Sequence, residues 1–63
     1  MNTKAEIKQH FDSNKGIVGK DWMARKADGE RMLIVFGKEK DEYKSYKTDA
    51  GFYSAVLWHI KRG

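Results

Sequence analysis

The chain of 63 residues contains no cysteine and no long apolar segment. The lack of cysteine excludes disulfide bonds and thiolate zinc sites. No apolar run approaches the roughly 20 residues that a membrane helix needs, and the N-terminus lacks the apolar core of a signal peptide. We therefore expect a cytoplasmic protein that does not bind a membrane.

The sequence also lacks the residue patterns of an active site, a metal site or a nucleotide site. His10 and His59 lie on different predicted helices, and no acidic residue stands at ligand spacing from either. Asp41 and Glu42 form an acidic pair in a charged turn, where nothing would raise a pKa for acid–base work. No motif for nucleophilic catalysis or phosphate binding surrounds the remaining candidates, which are Ser13, Ser45, Ser54, Gly16 and Gly19. We expect a protein that is not an enzyme and has no cofactor and no metal.

Size and composition predict one small folded domain, residues 1–63. Hydrophobic residues make up 40% of the chain and charged residues 35%, which suits a folded domain rather than a disordered segment. A chain this short buries only roughly 60% of the surface that its unfolded form exposes, so a homodimer is one route to further burial. The net charge of +4 is spread along the chain and therefore favours a polyanionic partner only mildly.

The sequence centres on a β-hairpin from Lys20 to Gly37 with an Asp28-Gly29 turn, which is among the strongest short turn signals. A two-residue loop would place Trp22 opposite Val35. A three-residue loop that begins at Ala27 would place Trp22 opposite Ile34, and we prefer it because it separates the side chains more cleanly. One face then holds Trp22, Ala24, Met32, Ile34 and Phe36, and the other holds Met23, Arg25, Arg31, Leu33 and Val35. A slip of one residue would exchange the two sets.

One helix is predicted before the strands in the chain and one after them. Thr3 and Glu6 form a capping-box pattern before a helix over 4–13, and Gly16 is expected to end that segment. A short third strand is predicted over 43–48, and a second helix over about 50–61. The apolar stripe of that second helix consists of Phe52, Tyr53, Val56, Leu57 and Ile60. The expected fold is therefore α+β, a single αβββα domain whose three-stranded antiparallel sheet carries two packed helices.

Basic residues of the sheet lead to the first functional hypothesis. Arg25 and Arg31 are predicted to lie together on the face opposite the main core. Strands can enter a DNA groove and contact phosphates or base edges through such side chains. We therefore expect a small nucleic-acid-binding module, with DNA favoured over RNA. Its predicted contact residues are Arg25, Lys26, Arg31, Lys38, Lys44 and Lys47.

The competing hypothesis is a protein-interaction module, such as a small inhibitor or regulator encoded by a mobile element. Trp58 falls almost opposite the apolar stripe of the second helix, where it is either a binding residue or covered by the first helix through Phe11. Met23, Leu33 and Val35 would form an exposed apolar patch if both helices packed on the Trp22 face. Such a patch would imply a protein partner or a homodimer.

The predicted layout resembles two families of nucleic-acid-binding domains. The order αβββα is that of double-stranded RNA-binding domains, which carry lysines at the start of the second helix, where this chain reads DAGFYSA. The span 22–60 also resembles the three-stranded sheet and helix of integrase arm-type and AP2-like DNA-binding domains. In that comparison Trp22-x-Ala24-Arg25 opens the sheet, and Lys47 leads into the helix. The second resemblance implies that Arg25, Arg31 and Lys44 face DNA.

Overall fold

The computed structural model describes residues 2–62, which contain two helices and four strands. The elements are α1 (Lys4–Asp12), β1 (Ile17–Val18), β2 (Trp22–Ala27), β3 (Glu30–Val35), β4 (Glu42–Tyr46) and α2 (Asp49–Arg62). The strands form one antiparallel sheet in the order β1-β2-β3-β4. This confirms the α+β class with two helices and an antiparallel sheet, and it corrects the number of strands from three to four.

The additional strand is β1, which was not predicted from the sequence. Ile17 pairs with Ala24 and Val18 with Met23, so β1 extends the sheet beside β2. A strand of two residues is too short for an alternating pattern, which needs at least four residues to be recognised. The β-branched pair Ile17-Val18 was the one available sign of it.

The hairpin has a two-residue loop, so the predicted three-residue loop is wrong. Trp22 pairs with Val35, and the last pair before the turn joins Ala27 to Glu30. Asp28 and Gly29 both take the left-handed conformation, with φ of 53° and 79°. A turn with two positive φ values has the twist that suits antiparallel strands, and aspartate tolerates this conformation better than most residues.

This register reverses the predicted facing of β3. Leu33 lies opposite Ala24 and is buried against the helices, and Val35 lies beside it on the same face. Met32 and Ile34 therefore project from the other face, where they were not expected. Of the residues predicted for an exposed patch, Leu33 and Val35 belong to the core and only Met23 lies on the far side.

Both helices cover the same face of the sheet. In α2, Phe52, Tyr53 and Val56 are buried, and Leu57 and Ile60 pack against them, which confirms the predicted stripe. Helix α1 contributes the buried Ile7 and Phe11 to the same core. The Phe11 ring lies 5.0 Å from the ring of Phe52, so α1 packs on α2 and shares one core with the buried residues of the sheet.

Side chains cap the N-terminus of each helix. The Thr3 hydroxyl accepts a hydrogen bond from the Glu6 amide at 3.2 Å, and the Thr48 hydroxyl accepts one from the Gly51 amide at 3.2 Å. Asn14, with φ of 59°, takes the left-handed position after α1 that was expected of Gly16. Within residues 2–62 neither helix has the length and apolar character that would let it cross a membrane.

Candidate functional site

Two of the six basic residues predicted to contact nucleic acid form ion pairs within the fold. Lys26 and Arg31 project from the helix-covered face, where both reach the carboxylate of Asp49. The distances to Asp49 Oδ1 are 3.0 Å from Lys26 Nζ and 2.5 Å from Arg31 Nε. Lys26 also donates a hydrogen bond of 3.1 Å to the hydroxyl of Tyr53. Lys26, Arg31, Asp49 and Tyr53 are called the Asp49 cluster below.

The Asp49 cluster fixes the start of α2 to the hairpin. Hydrogen bonds from Arg31 and then from Lys26 lower the pKa of Asp49. The hydrogen bond to Tyr53 is the largest cause that raises the pKa of Lys26, followed by the bond to Asp49. Asp49 is also the first residue of α2, where a negative charge is favourable to the helix dipole. Asp49 was not predicted as a partner of these basic residues, although an acid at a helix start is a common signal.

The other four basic residues do not share a face. Arg25 lies on the face of the sheet that the helices leave open, opposite Met32. Lys44 lies on the edge strand β4 and pairs with Leu33 of β3, so its side chain projects on the helix side of the sheet. Lys38 lies in the exposed loop after β3, and Lys47 is exposed after β4. The structure therefore does not bring the six predicted residues together on an open sheet face.

Trp58 lies on the exposed side of α2. Its side chain is 62% exposed, although the buried Phe52 and Val56 lie on the same helix. The alternative in which α1 covers it through Phe11 is wrong, because Phe11 packs against Phe52 and Tyr53 instead. Trp58 therefore presents an indole to the surroundings, which decides between the two alternatives that the sequence left open.

Neighbouring side chains hold this exposed indole in place. The guanidinium carbon of Arg62 lies 5.5 Å from the centre of the Trp58 ring, and the His59 ring meets it edge-on at 4.8 Å. Arg62 is in turn bound to Asp21 Oδ1 at 2.8 Å, and this hydrogen bond lowers the pKa of Asp21. The orientation of Trp58 is thus set by a chain of contacts that reaches the loop before β2.

His59 is buried below this arrangement. Its ring lies 5.4 Å from that of Trp22, and Arg62 Nη2 lies 3.1 Å from His59 Nδ1. Burial, and then the charge of Arg62, lowers the pKa of His59, and Asp21 opposes that shift. Because an arginine can only donate, Nδ1 of the neutral imidazole is the acceptor. The histidine therefore supports the surface that Trp58 forms without being exposed on it.

The residues around Trp58 are small or basic. Ser54 and Lys61 lie one turn away along α2 and are exposed, and Arg62 completes the same side of the helix. We call Ser54, Trp58, Lys61 and Arg62 the Trp58 surface. It combines one large aromatic group with two positive charges, of which that of Arg62 is paired with Asp21.

A second exposed region is the face of the sheet opposite the helices. Its strand residues alternate with the buried ones, and apolar side chains predominate among them. A groove of about 340 Å³ runs between them. We call this region the open sheet face; its strand residues are Val18, Met23, Arg25, Ala27, Glu30, Met32, Ile34, Tyr43 and Ser45.

Neither a metal-binding cluster nor a similar protein indicates a function for these surfaces. Within residues 2–62, no group of three or more histidine and acidic side chains is arranged to hold a metal ion. Comparison of the chain with protein-family models, with curated proteins and with solved structures finds no match in any of the three. The surfaces themselves are therefore the basis for a functional proposal.

Proposed function

We propose that this chain is a non-enzymatic protein-interaction module that binds its partner through the Trp58 surface. The supporting observation is that Trp58 is 62% exposed and yet held by Arg62 and His59. Tryptophan is enriched at the few positions that carry most of the energy of an interface. A side chain that is already oriented loses less conformational freedom on binding, so more of its contact energy contributes to affinity.

The surroundings of Trp58 indicate the chemistry of the partner. Lys61 and Arg62 flank the indole, Arg62 being already paired with Asp21, and the whole chain has a net charge of +4. The matching surface is therefore an apolar pocket for the indole with acidic groups at its border. A chain of this size that occupies such a pocket would act as an inhibitor or regulator of the protein that carries it.

Binding to nucleic acid stays a prediction and has less support. Lys26 and Arg31 are already engaged by Asp49, so contacts with phosphates would have to compete with existing ion pairs. Arg25, which lies on the open sheet face, has the acidic Glu30 near it on the same face. A mobility-shift titration with DNA and RNA at low and at physiological salt tests this hypothesis directly. Tight binding at low salt that weakens steeply with added salt would support it.

A comparison of three forms of the chain tests the Trp58 proposal. The wild type, Trp58→Ala and Phe36→Ala are immobilised and exposed to an extract of the organism that encodes the chain. Phe36 is the matched control, because it is an aromatic residue that is 42% exposed and lies outside α2. Proteins retained by the wild type and by Phe36→Ala, and lost with Trp58→Ala, are the expected result. Retention of the same proteins by Trp58→Ala would overturn the proposal.

A purified partner then allows the size of the effect to be measured. We expect Trp58→Ala to weaken binding by about 2 kcal/mol or more, which is the range of dominant interface residues. Lys61→Ala should change binding less and mainly reduce its dependence on salt, because a charge at the border of an interface acts chiefly on the rate of association. Calorimetry at two salt concentrations separates these two effects.

A further inference from the structure

One nitrogen atom of Arg62 connects the side chains near the end of α2. Arg62 Nη2 donates hydrogen bonds to Asp21 Oδ1 at 2.8 Å and to His59 Nδ1 at 3.1 Å. The same guanidinium lies 5.5 Å from the centre of the exposed Trp58 ring. The position of Arg62 over the indole therefore depends on two acceptors, which are a carboxylate and the imidazole nitrogen of a buried histidine.

Only the neutral form of His59 can accept this hydrogen bond. An arginine side chain has donors and no acceptor, so Nδ1 carries no proton while Arg62 is bound to it. Protonation of the imidazole would place an N–H group on Nδ1, beside the donor nitrogen of Arg62 that is 3.1 Å away. It would also bring two positive charges together next to a buried ring, where like charges repel more strongly than in water. The contact between His59 and Arg62 and a positive charge on His59 are therefore incompatible.

The charged groups around His59 include one acceptor for the added proton. Within residues 2–62 these groups are Arg62 on its own helix, Lys44 on β4, and Asp21 and Lys20 in the loop before β2, where Lys20 lines a shallow cleft together with the histidine. Burial and then the charge of Arg62 lower the pKa of His59, Asp21 raises it, and Lys44 lowers it. Because Asp21 Oδ1 and His59 Nδ1 bind the same nitrogen, they lie no further apart than the two hydrogen bonds together. Asp21 is therefore the acceptor for a protonated His59.

We propose that protonation of His59 exchanges the partner of Asp21, so that the imidazolium binds the carboxylate and Arg62 leaves both Asp21 and Trp58. The exchange takes up one proton from solvent. In the neutral form Arg62 holds the indole in one orientation. In the protonated form the indole loses this contact and rotates more freely, so acid loosens the Trp58 surface.

Arg62 is the group that moves, because packing holds His59 in place. The His59 ring lies 5.4 Å from the Trp22 ring and 4.8 Å from the Trp58 ring, and the residue is 8% exposed. The Arg62 side chain is 36% exposed. It can turn into solvent without the loss of core contacts, whereas a movement of the histidine would disturb the packing on Trp22.

This inference deepens the proposed function and rests on it for the effect on partner binding. While Arg62 is in place, Trp58 is oriented before the partner arrives. Without Arg62 the partner has to restrict the rotation of that side chain, which lowers the affinity. We expect the affinity to fall roughly three- to tenfold when His59 is protonated, the range that corresponds to ordering one side chain. The exchange itself is a property of the free chain and is measured without a partner.

NMR of the free, ¹⁵N-labelled chain between about pH 7.5 and about pH 5 tests the exchange. This range lies above the ordinary pKa of carboxylates, which is about 4. The imidazole signals give the midpoints of His59 and His10. The ring-current shift of the Arg62 side-chain protons reports the contact with Trp58, and the heteronuclear NOE of the indole N–H reports the mobility of that ring. We expect both to decrease with the midpoint of His59, while the amide spectrum verifies that the chain stays folded.

Three variants separate the exchange from a general effect of acid. His59→Gln keeps an acceptor that cannot be protonated in this range, so the Arg62 and Trp58 signals should stay constant. His10→Gln is the matched control and should titrate as the wild type does. Arg62→Gln removes the neighbouring charge and should raise the midpoint of His59. At pH 7.5 its indole should already be as mobile as that of the wild type at low pH.

Three results would overturn the proposal. The first is a His59 that titrates while the Arg62 and Trp58 signals stay constant. The second is a change of those signals in His59→Gln that equals the change in the wild type. The third is an Arg62→Gln variant with an unchanged His59 midpoint or with an ordered indole at pH 7.5. These measurements need no partner, so a chain that shows the exchange and keeps its partner in Trp58→Ala would contradict the proposed function alone.

Discussion

Leu33 and Ile34 are neighbours on β3 whose replacement by alanine should have very different effects. Leu33 is 1% exposed and lies in the core between Ala24 and the helices. Ile34 projects from the open sheet face and is partly exposed. The register predicted from the sequence would give the opposite result, so this pair of variants tests the facing of the central strand.

The expected magnitudes follow from burial. Removing a buried leucine side chain costs about 2–5 kcal/mol, because the lost transfer energy is accompanied by a cavity. We expect about 3–4 kcal/mol for Leu33→Ala, which is fully enclosed, and about 1 kcal/mol or less for Ile34→Ala. A chain of this length has a free energy of unfolding of only about 3–9 kcal/mol. Leu33→Ala should therefore remove a large part of the stability.

Thermal unfolding followed by circular dichroism measures this difference. A loss of 1 kcal/mol lowers the Tm of a domain of this size by about 4–8 °C, so Leu33→Ala should lower it by about 15–25 °C. An Ile34→Ala variant that is destabilised as much as Leu33→Ala would refute the observed register.

Three further predictions concern the turn, the Asp49 cluster and pH. Gly29→Ala should lower the free energy of unfolding in urea by about 1 kcal/mol, because a φ of 79° is strained for a side chain even with no atom near it, and Gly29→Asn should lower it less. Asp49→Asn should speed up amide exchange in the first turn of α2 and leave α1 unchanged, since Lys26 and Arg31 lose their carboxylate partner. The folded-state pKa of His59 is lowered, so between that pKa and the unfolded value of 6.5 the unfolded chain binds more protons. The stability that His59 contributes should be complete above about pH 6.5 and decline between there and about pH 5, above the range in which the carboxylates of Asp21 and Asp49 titrate. In that range His59→Gln should abolish the decline and His10→Gln should keep it, and a decline that persists in His59→Gln would contradict the role of His59.

Local signals in the sequence predicted the helices and the hairpin turn. The stripe of Phe52, Tyr53 and Val56 has a helical period over a long enough segment to be unambiguous, and Asp28-Gly29 marks a turn with few alternatives. The same signals placed Trp58 opposite the apolar stripe, but they did not show whether the first helix covers it. These features depend on residues that are close together in the chain.

The register could not be predicted because both loops fit the same turn residues. The segment 32–36 is apolar at every position, so it contains no alternation that would mark one face as the core. The wrong register placed Arg31 on the open sheet face, and the predicted basic surface depended on that placement. The partner of Arg31 is Asp49, 18 residues further along the chain, and the choice between solvent and that carboxylate depends on how α2 docks.

The order of strands along the sheet also has a consequence for folding. Each strand pairs with its neighbour in the chain, so the whole sheet can form by closing short loops, and such local contacts favour rapid folding. The contact between α1 and α2 instead joins elements from the two ends of the described residues through Phe11 and Phe52. We expect α1 to dock after the sheet and α2 have met, and to detach first when the protein begins to unfold.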